Sequence, residues 1–407
     1  MSRCAQALYH ADIMKQESIL VCGTGIAGLA CALGLSRAGL PVALLGPRQT
    51  PPVRAADDYH PRVYAISESS RALLDRLGAW RLIEARRITA VEAMEIHGDA
   101  DGLLDLSAWQ DARESLAWIV ESGEIERALQ QAAQVMGIAW HEDKFVGLTP
   151  QARGVQVDTA QGRQLSASLL VGADGARSPV RVAARIPHEY TPYGDMGVVA
   201  HLDIERPHQQ RAYQWFTGDS VLAVLPMPDT AQGAQASLVW SMPEGQAQAW
   251  LAQPPEAQQA YFAAQAAAIT QGRLGRLGLR TRPQGFALTL ERSAMMAPGV
   301  ALVGDAAHRV HPLAGQGLNL GLGDVQTLIQ VLTARAPQQH LGEARLLARY
   351  RRRRAEPVLA MGLVTHGLHR LFGTSCMPLA WARNQGMSLV DQLPFIKRQL
   401  IRAAMGQ

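Results

Sequence analysis

Near its start the chain switches hydrophobic period twice in a short span. Ile19-Leu20-Val21-Cys22 is an unbroken apolar run, the pattern of a central parallel strand buried on both faces. Residues 29–38 then predict a helix stopped by Gly39, and Val42-Ala43-Leu44-Leu45 predicts the next strand, completing a β–α–β unit. Two later runs resemble the first strand. Leu169-Leu170-Val171 leads into Gly172-Ala173-Asp174-Gly175, and residues 300–303 lead into Gly304-Asp305, a loop with Pro312, Gly315 and Gly317, and a helix from about Leu318 to Leu332. Between these segments the pattern is different. Val91, Ala93, Met94 and Ile96 alternate with polar positions in places, as in a half-exposed strand, and residues 123–136 predict a helix. Strands are predicted at 196–202, 213–216, 221–226 and 236–242, forming an antiparallel sheet, with one Ala/Gln-rich helix at 246–270. From about residue 336 the pattern is helical, with interruptions expected at Pro357 and Pro378. There is no internal repeat.

Two of these turns have the composition of ligand sites. Gly23-Thr24-Gly25-Ile26-Ala27-Gly28 follows a strand and opens a helix, which is the setting a dinucleotide fingerprint requires. Gly23 permits the tight turn, Gly25 lets a pyrophosphate approach the backbone, and Gly28 allows close helix–strand packing. The fingerprint also expects an acid about 20 residues on, to hold a ribose. Here Gly46-Pro47-Arg48 stands instead, so backbone groups or water must hold the sugar; Arg48 either faces a phosphate or is a solvated loop residue. At the second turn, Asp305 ends a strand and is placed to accept hydrogen bonds from a sugar-alcohol chain. The small residues that follow let backbone N–H groups at a helix start reach an anionic ring edge. His308 and His311 have HxxH spacing but no accompanying ligand set, so no metal site is expected.

Taken with Asp174-Gly175-Ala176-Arg177, these segments resemble the class A flavoprotein aromatic monooxygenases, which have the para-hydroxybenzoate hydroxylase-like fold. The similarity is greatest to the branch that hydroxylates ubiquinone precursors. Arg62-Val63-Tyr64-Ala65-Ile66-Ser67, Tyr213-Gln214-Trp215-Phe216 and the stretch 311–319 are similar to that branch, and the resemblance runs from about Ser18 to Phe372. It implies an α/β fold: a Rossmann-like FAD-binding domain, an inserted and mostly antiparallel β-sheet substrate domain, and a helical C-terminal region. On this reading 18–85, 119–187 and 286–335 bind FAD, 86–118 and 188–285 bind substrate, and 336–407 form the tail. The resemblance places Gly23, Gly25 and Gly28 on the FAD pyrophosphate and Arg62 near the phosphates or the flavin. Arg127 falls close to the cofactor or, alternatively, is a surface helix arginine. Asp174 is assigned to the cofactor region in a partly structural role, and Asp305 to the ribityl chain. Pro312, Gly315, Gln316, Gly317, Leu318 and Asn319 border the flavin ring, and Pro312, Gly315 and Gly317 serve catalysis. Tyr213, Trp215 and Phe216 are the substrate-lining candidates. Alternation puts Tyr213 and Trp215 on one face and Gln214 and Phe216 on the other, so at most one pair faces the flavin; ordinary sheet packing is the competing explanation.

The implied activity is hydroxylation of the ring of a prenylated phenol in ubiquinone biosynthesis, using NAD(P)H and O2 through a flavin C4a-hydroperoxide. A flavin-dependent prenyl reductase and a non-catalytic FAD-fold assembly subunit remain alternatives. A flavin halogenase would need a lysine near the first helices, and none lies between Lys15 and Lys144.

Composition adds limits. A chain of 407 residues that is 48% hydrophobic can fill cores for about two domains. Its net charge of +4 is no nucleic-acid footprint. Cys22 and Cys31 are expected to be buried small hydrophobes, and disulfides are not expected, which suits the cytoplasm. No run reaches membrane-spanning length, so any membrane contact would be peripheral, on the inner face. Arg349-Tyr350-Arg351-Arg352-Arg353-Arg354 is either a solvated helix end or a surface for anionic lipid. Other ubiquinone-biosynthesis proteins are the candidate protein partners. If position 46 faces the ribose, Gly46→Glu would tighten FAD, provided Gly46 is not there to supply a positive φ.

Overall fold

The computed structural model describes residues 18–48, 54–55, 57–310, 316–372 and 390–404. His311, Pro312, Gly315 and Pro378 lie outside the described residues.

The unbroken apolar runs become the interior of one parallel sheet. Val300–Leu302, Leu169–Gly172, Ile19–Cys22, Val42–Leu45 and Ala139–His141 lie side by side in that order, with Met296–Ala297 antiparallel at one edge. Every residue of Ile19–Cys22 and of Leu169–Gly172 is buried, because helix Ile26–Arg37 and a small antiparallel sheet of Phe145–Gln151, Gly154–Thr159 and Gln164–Ala167 pack against the strands. The first helix, Ile26–Arg37, packs against Ser122–Val135 and Gly317–Thr333. It begins earlier than its apolar pattern implied, because the glycine-rich turn itself forms the first helical turn. Cys22 and Cys31 are buried in this core.

The half-buried strands build a second layer. Among the described residues it is a nine-stranded, largely antiparallel sheet centred on His188–Ile204, Gln235–Pro243, Val221–Pro226 and Arg211–Phe216. His188–Ile204 runs well beyond the predicted strand and also pairs with Gln284–Ser293, with an irregularity between Pro192 and Met196. The alternating stretch around Val91 is two strands, not one. Ile88–Val91 joins a small sheet with Ala117–Glu121 and Val63–Ile66, whereas Ala93–His97 pairs with Arg211–Phe216 in the large one. Glu92 is the crossing point, and its N–H bonds to Gln210 O at 2.9 Å.

Proline placement differs from expectation in two places. The segment 246–270 is two helices, Glu244–Leu251 and Pro255–Thr270, because Pro254 and Pro255 cannot continue a helix but suit the start of one. Pro357, in contrast, does not interrupt Ala344–Phe372. It sits on an exposed stretch, where water can serve the backbone group it leaves unbonded.

At the end of the second strand, Gly46 has φ +150°, and its N–H bonds to His141 O at 3.1 Å. A Cβ there would lie 2.9 Å from Thr24 Cγ2. The proviso on Gly46→Glu is therefore not met. The substitution is expected to lower stability by about 1–3 kcal/mol and to leave FAD no more tightly held. Thermal melting of apoprotein and flavin titration check both, and an unchanged melting temperature would contradict the backbone argument.

Candidate functional site

The glycine-rich turn has the geometry of an anion cradle. A side chain on Gly23 would run into the Ala173 carbonyl, and one on Gly28 into the Gly23 carbonyl, so both positions are closed. Gly25 has open space where a Cβ would be. Gly25 is also the N-cap of Ile26–Arg37, whose first turn has neither a side-chain cap nor an acid. Its free N–H groups and the positive end of the helix dipole therefore face open space. The helix Gly317–Thr333 repeats this arrangement, with Gln316 at the N-cap, no side-chain cap and no acid in the first turn.

A buried arginine braces the two aspartate turns. Arg181 donates from Nη2 to Ala176 O at 2.6 Å and from Nη1 to Ala306 O at 2.9 Å, bridging the Asp174 turn to the Asp305 turn. Asp174 accepts the Val180 N–H at Oδ2 (3.0 Å), while its buried Oδ1 has no protein partner. Burial pushes this carboxyl above its ordinary value, against the Ser178 hydroxyl and backbone N–H groups that pull it down. Asp305 is exposed at the strand end, with Arg309 Nε 4.0 Å away.

The Asp305 turn is held from beneath by a fully buried carboxylate. Asp324 accepts the Gly304 N–H at 2.9 Å and Arg354 Nε at 2.7 Å, and lies 2.7 Å from His308 Nε2. Burial opposes its ionisation, but His308, Arg354 and the Gly304 amide together hold it below the usual carboxylate range. Gly304 has φ +62°, and a Cβ on Gly321 would lie 3.0 Å from Gly304 Cα, so helix and turn meet closely.

Asn319 ties the same helix to the small sheet. It donates to Ala65 O at 2.8 Å and accepts the Ser67 N–H at 3.0 Å. Arg62 stacks on the Tyr64 ring at 4.8 Å. Burial pushes the Tyr64 hydroxyl up to about 12, eased by Arg62 and reinforced by Asp305 and Glu126. Arg127 donates to Leu82 O at 3.1 Å and to Glu124 Oε2 at 2.7 Å.

The large sheet has two distinct faces. Tyr213 and Trp215 stack at 5.6 Å and join the cluster of Leu238, Trp240, Trp250 and Phe262 beneath the two helices. The other face meets the small sheet and the segment before it: His201 contacts the Tyr59 ring and lies 2.6 Å from His60 O, and Ala212 and Leu225 pack with Val63 and Ala65. Phe216, Val221, Ser241, Gly197 and Phe286 form one cross-strand row on that face.

An FAD-binding domain family matches residues 16–362. The chain belongs to this FAD-binding family. It is 32% identical to ubiquinone hydroxylase UbiL of Rhodospirillum rubrum, over 96% of this chain and 90% of that protein. It is 30% identical to the 3-demethoxyubiquinol 3-hydroxylase of Escherichia coli K12, over 96% and 99%. Among solved structures, Pseudomonas aeruginosa PqsL in complex with 2-aminobenzoylacetate matches with TM-score 0.72 at 22% identity, over 90% of this chain and 98% of that one. Klebsiella pneumoniae HpxO complexed with FAD and uric acid also matches with TM-score 0.72, at 16% identity and over 96% of both chains.

The residues present fit FAD. The open cradle at Gly25 suits a pyrophosphate, and the unpartnered Asp174 Oδ1 suits a polyol or sugar donor. Of the sequence candidates, the structure groups Gly23, Gly25, Gly28, Asp174, Asp305 and the stretch Gln316 to Asn319, and sets Arg62 beside them. It ties Arg127 to a neighbouring turn and puts Tyr213 and Trp215 against the helices Glu244–Leu251 and Pro255–Thr270. Sequence reading missed Arg181, Asp324 and Arg354. A lone acid among Leu320, Val325 and Leu328 was the signal for Asp324; nothing local marked its partner thirty residues on.

Two substitutions test the buried carboxylate. Arg354→Met leaves Asp324 buried without its guanidinium partner and should cost about 3–5 kcal/mol. Because the folded-state value of Asp324 is depressed, its contribution is present above the unfolded value of about 3.9 and is lost as pH falls through the folded value. Asp324→Asn should therefore be less stable at neutral pH and flatter in acid than the parent. Urea unfolding from pH 7 to pH 3 measures this, and parallel pH profiles would contradict it.

Proposed function

We propose that this chain is an FAD-dependent monooxygenase that uses NAD(P)H and O2 to hydroxylate the aromatic ring of a prenylated phenol in ubiquinone biosynthesis. The observation that carries this reading is the near end-to-end match to two ubiquinone-pathway hydroxylases in a chain that builds both cofactor turns. We further propose that 18–85, 119–187 and 286–335 hold the cofactor, 86–118 and 188–285 hold the substrate, and 336–407 form a helical appendage.

In this reading Gly23, Gly25 and Gly28 shape the cradle for the pyrophosphate, which meets the free N–H groups at the start of Ile26–Arg37, while Asp305 accepts from the ribityl chain and Arg62 offers positive charge beside it. When bound, FAD takes electrons from NAD(P)H and activates O2 for transfer to an electron-rich ring. The protein's tasks are positioning and exclusion of water. The uncapped start of Gly317–Thr333 presents N–H groups where negative charge develops on a reduced flavin edge. Asn319 fixes that helix start against Ala65 and Ser67. Phe216, Val221 and Phe286 supply apolar surface on the roof face, which suits a prenylated ring and keeps water out. Pro312 and Gly315 would border the ring in the same loop.

Among the described residues nothing lies within 4 Å of a prospective Cβ on Gly317, which sits in ordinary helical backbone, so the helix itself tolerates a side chain there. Gly317→Val should keep the melting temperature of the parent and lose phenol-dependent oxygen consumption. With the parent, isotope from labelled O2 should enter the product. Label from water, or flavin reduction without oxygen uptake, would move the assignment to a prenyl reductase; bound FAD with no turnover would favour an assembly subunit.

We also propose peripheral contact with anionic membrane. No described helix is long and apolar enough to cross a bilayer. In the basic run, Arg351, Arg352 and Arg353 are exposed, whereas Arg354 is buried on Asp324. The run is thus not uniformly solvated, and replacing all four arginines would damage the cofactor turn. Glutamine at 351, 352 and 353 alone should remove binding to anionic vesicles and leave flavin content intact, and parent binding should fall steeply with salt. Salt-insensitive or absent parent binding would leave this surface a solvated helix face.

A further inference from the structure

The missing ribose acid leaves a specific gap. In the fingerprint it stands at the end of the second strand, where Gly46 now stands with no side chain and no room for one. Ligands of open parallel sheets lie beyond the carboxyl ends of the strands, so a substitute should come from that same edge.

The neighbouring strand provides one. Ala139–His141 runs parallel to Val42–Leu45 with Leu45 opposite His141, which sets Glu142 beside Gly46 at the same edge. Adjacent strands are about 4.8 Å apart, a distance that a glutamate side chain can span. The Glu142 side chain is 60% exposed and pairs with Arg48, whose Nε lies 3.3 Å from its carboxylate. Arg48 in turn lies over the Trp140 ring at 4.6 Å, and Trp140 Nε1 donates to Gly46 O at 2.9 Å. The corner is therefore built: an indole locked to the strand end, a guanidinium stacked on it, and a carboxylate beside the glycine. The adjacent acid, Asp143, is not available, because it is buried and accepts the Lys144 and Gln161 amides. Thr24, across the corner, donates its hydroxyl to Pro47 O at 2.7 Å.

We infer that Glu142 takes the place of the absent acid and binds the adenosine ribose hydroxyls of FAD, with Arg48 and Trp140 forming the platform beside it. The acceptor has moved one strand outward in the sheet. A carboxylate can accept from both hydroxyls of the sugar diol, which the backbone carbonyl of Gly46, already bonded to Trp140, cannot do alone. The inference rests on the FAD reading above and concerns only the adenosine end of the cofactor.

The test compares FAD with an analogue whose adenosine ribose lacks the 2′-hydroxyl, by equilibrium dialysis against parent and Glu142→Ala proteins. The parent should hold FAD about ten- to a hundredfold more tightly than the analogue, the worth of a hydrogen bond to a charged acceptor. Glu142→Ala should lose that preference and bind FMN, which has no adenosine, as the parent does. A parent indifferent to the 2′-hydroxyl, or a variant that keeps the preference, would overturn the assignment while leaving FAD binding intact. A variant weakened equally toward FAD and FMN would also overturn it, as a general loss of structure. A parent that binds no FAD would remove the wider reading together with this one.

Discussion

Asp324 is the constraint on which the cofactor side of this molecule depends. A carboxylate taken fully out of water is costly to keep charged, by several kcal/mol even after the protein relaxes. Here three groups offset that cost, two from the segment after one strand and one from a later helix. Gly304 supplies an amide from the strand end, His308 an imidazole from the short strand that follows, and Arg354 a guanidinium from the long C-terminal helix. Once they converge, Gly304 is held at positive φ and Asp305 is carried outward at the strand end. An apolar replacement for the ion pair would leave the Gly304 amide buried without an acceptor, so the usual argument that hydrophobic residues can substitute for buried charges does not carry over.

A second buried arginine extends that order across the sheet. Arg181 satisfies carbonyls of both aspartate turns, so Asp174 and Asp305 are positioned by one rigid guanidinium. Between them the two helix starts at Ile26 and Gly317 remain uncapped. In most surface helices such amides are capped or hydrated. Two uncapped starts together, beside an unpartnered Asp174 oxygen, describe a receptor whose missing partners belong to the ligand.

The roof follows from strand alternation combined with unequal layers. One face of the large sheet must bury Trp240, Trp250 and Phe262 beneath two helices, and Tyr213 and Trp215 fall on that face by parity. The opposite face, carrying Ala212 and Leu225, packs on the small sheet. Tyr213 and Trp215 thus pack beneath the two helices, and Phe216, on the other side by alternation, does not join that cluster.

Local sequence determined the parallel strands, the glycine-rich turn and the Gly304-Asp305 turn. Each rests on short-range physics: unbroken apolar runs for doubly covered strands, glycine where backbone approaches backbone, and a strand end before a helix start. It also determined that Tyr213 and Trp215 share a face, but not which face, since alternation fixes relative and not absolute direction. Only the tertiary structure decided that Val91 and Ala93 belong to different sheets, that Pro357 lies within a continuous helix, and that Arg354 is buried while Arg351 to Arg353 are exposed. The reason is the same throughout. A residue's partners at Asp324, Arg181 or Glu142 lie on separate strands and helices, and their energies depend on burial and distance, which no window along the chain contains.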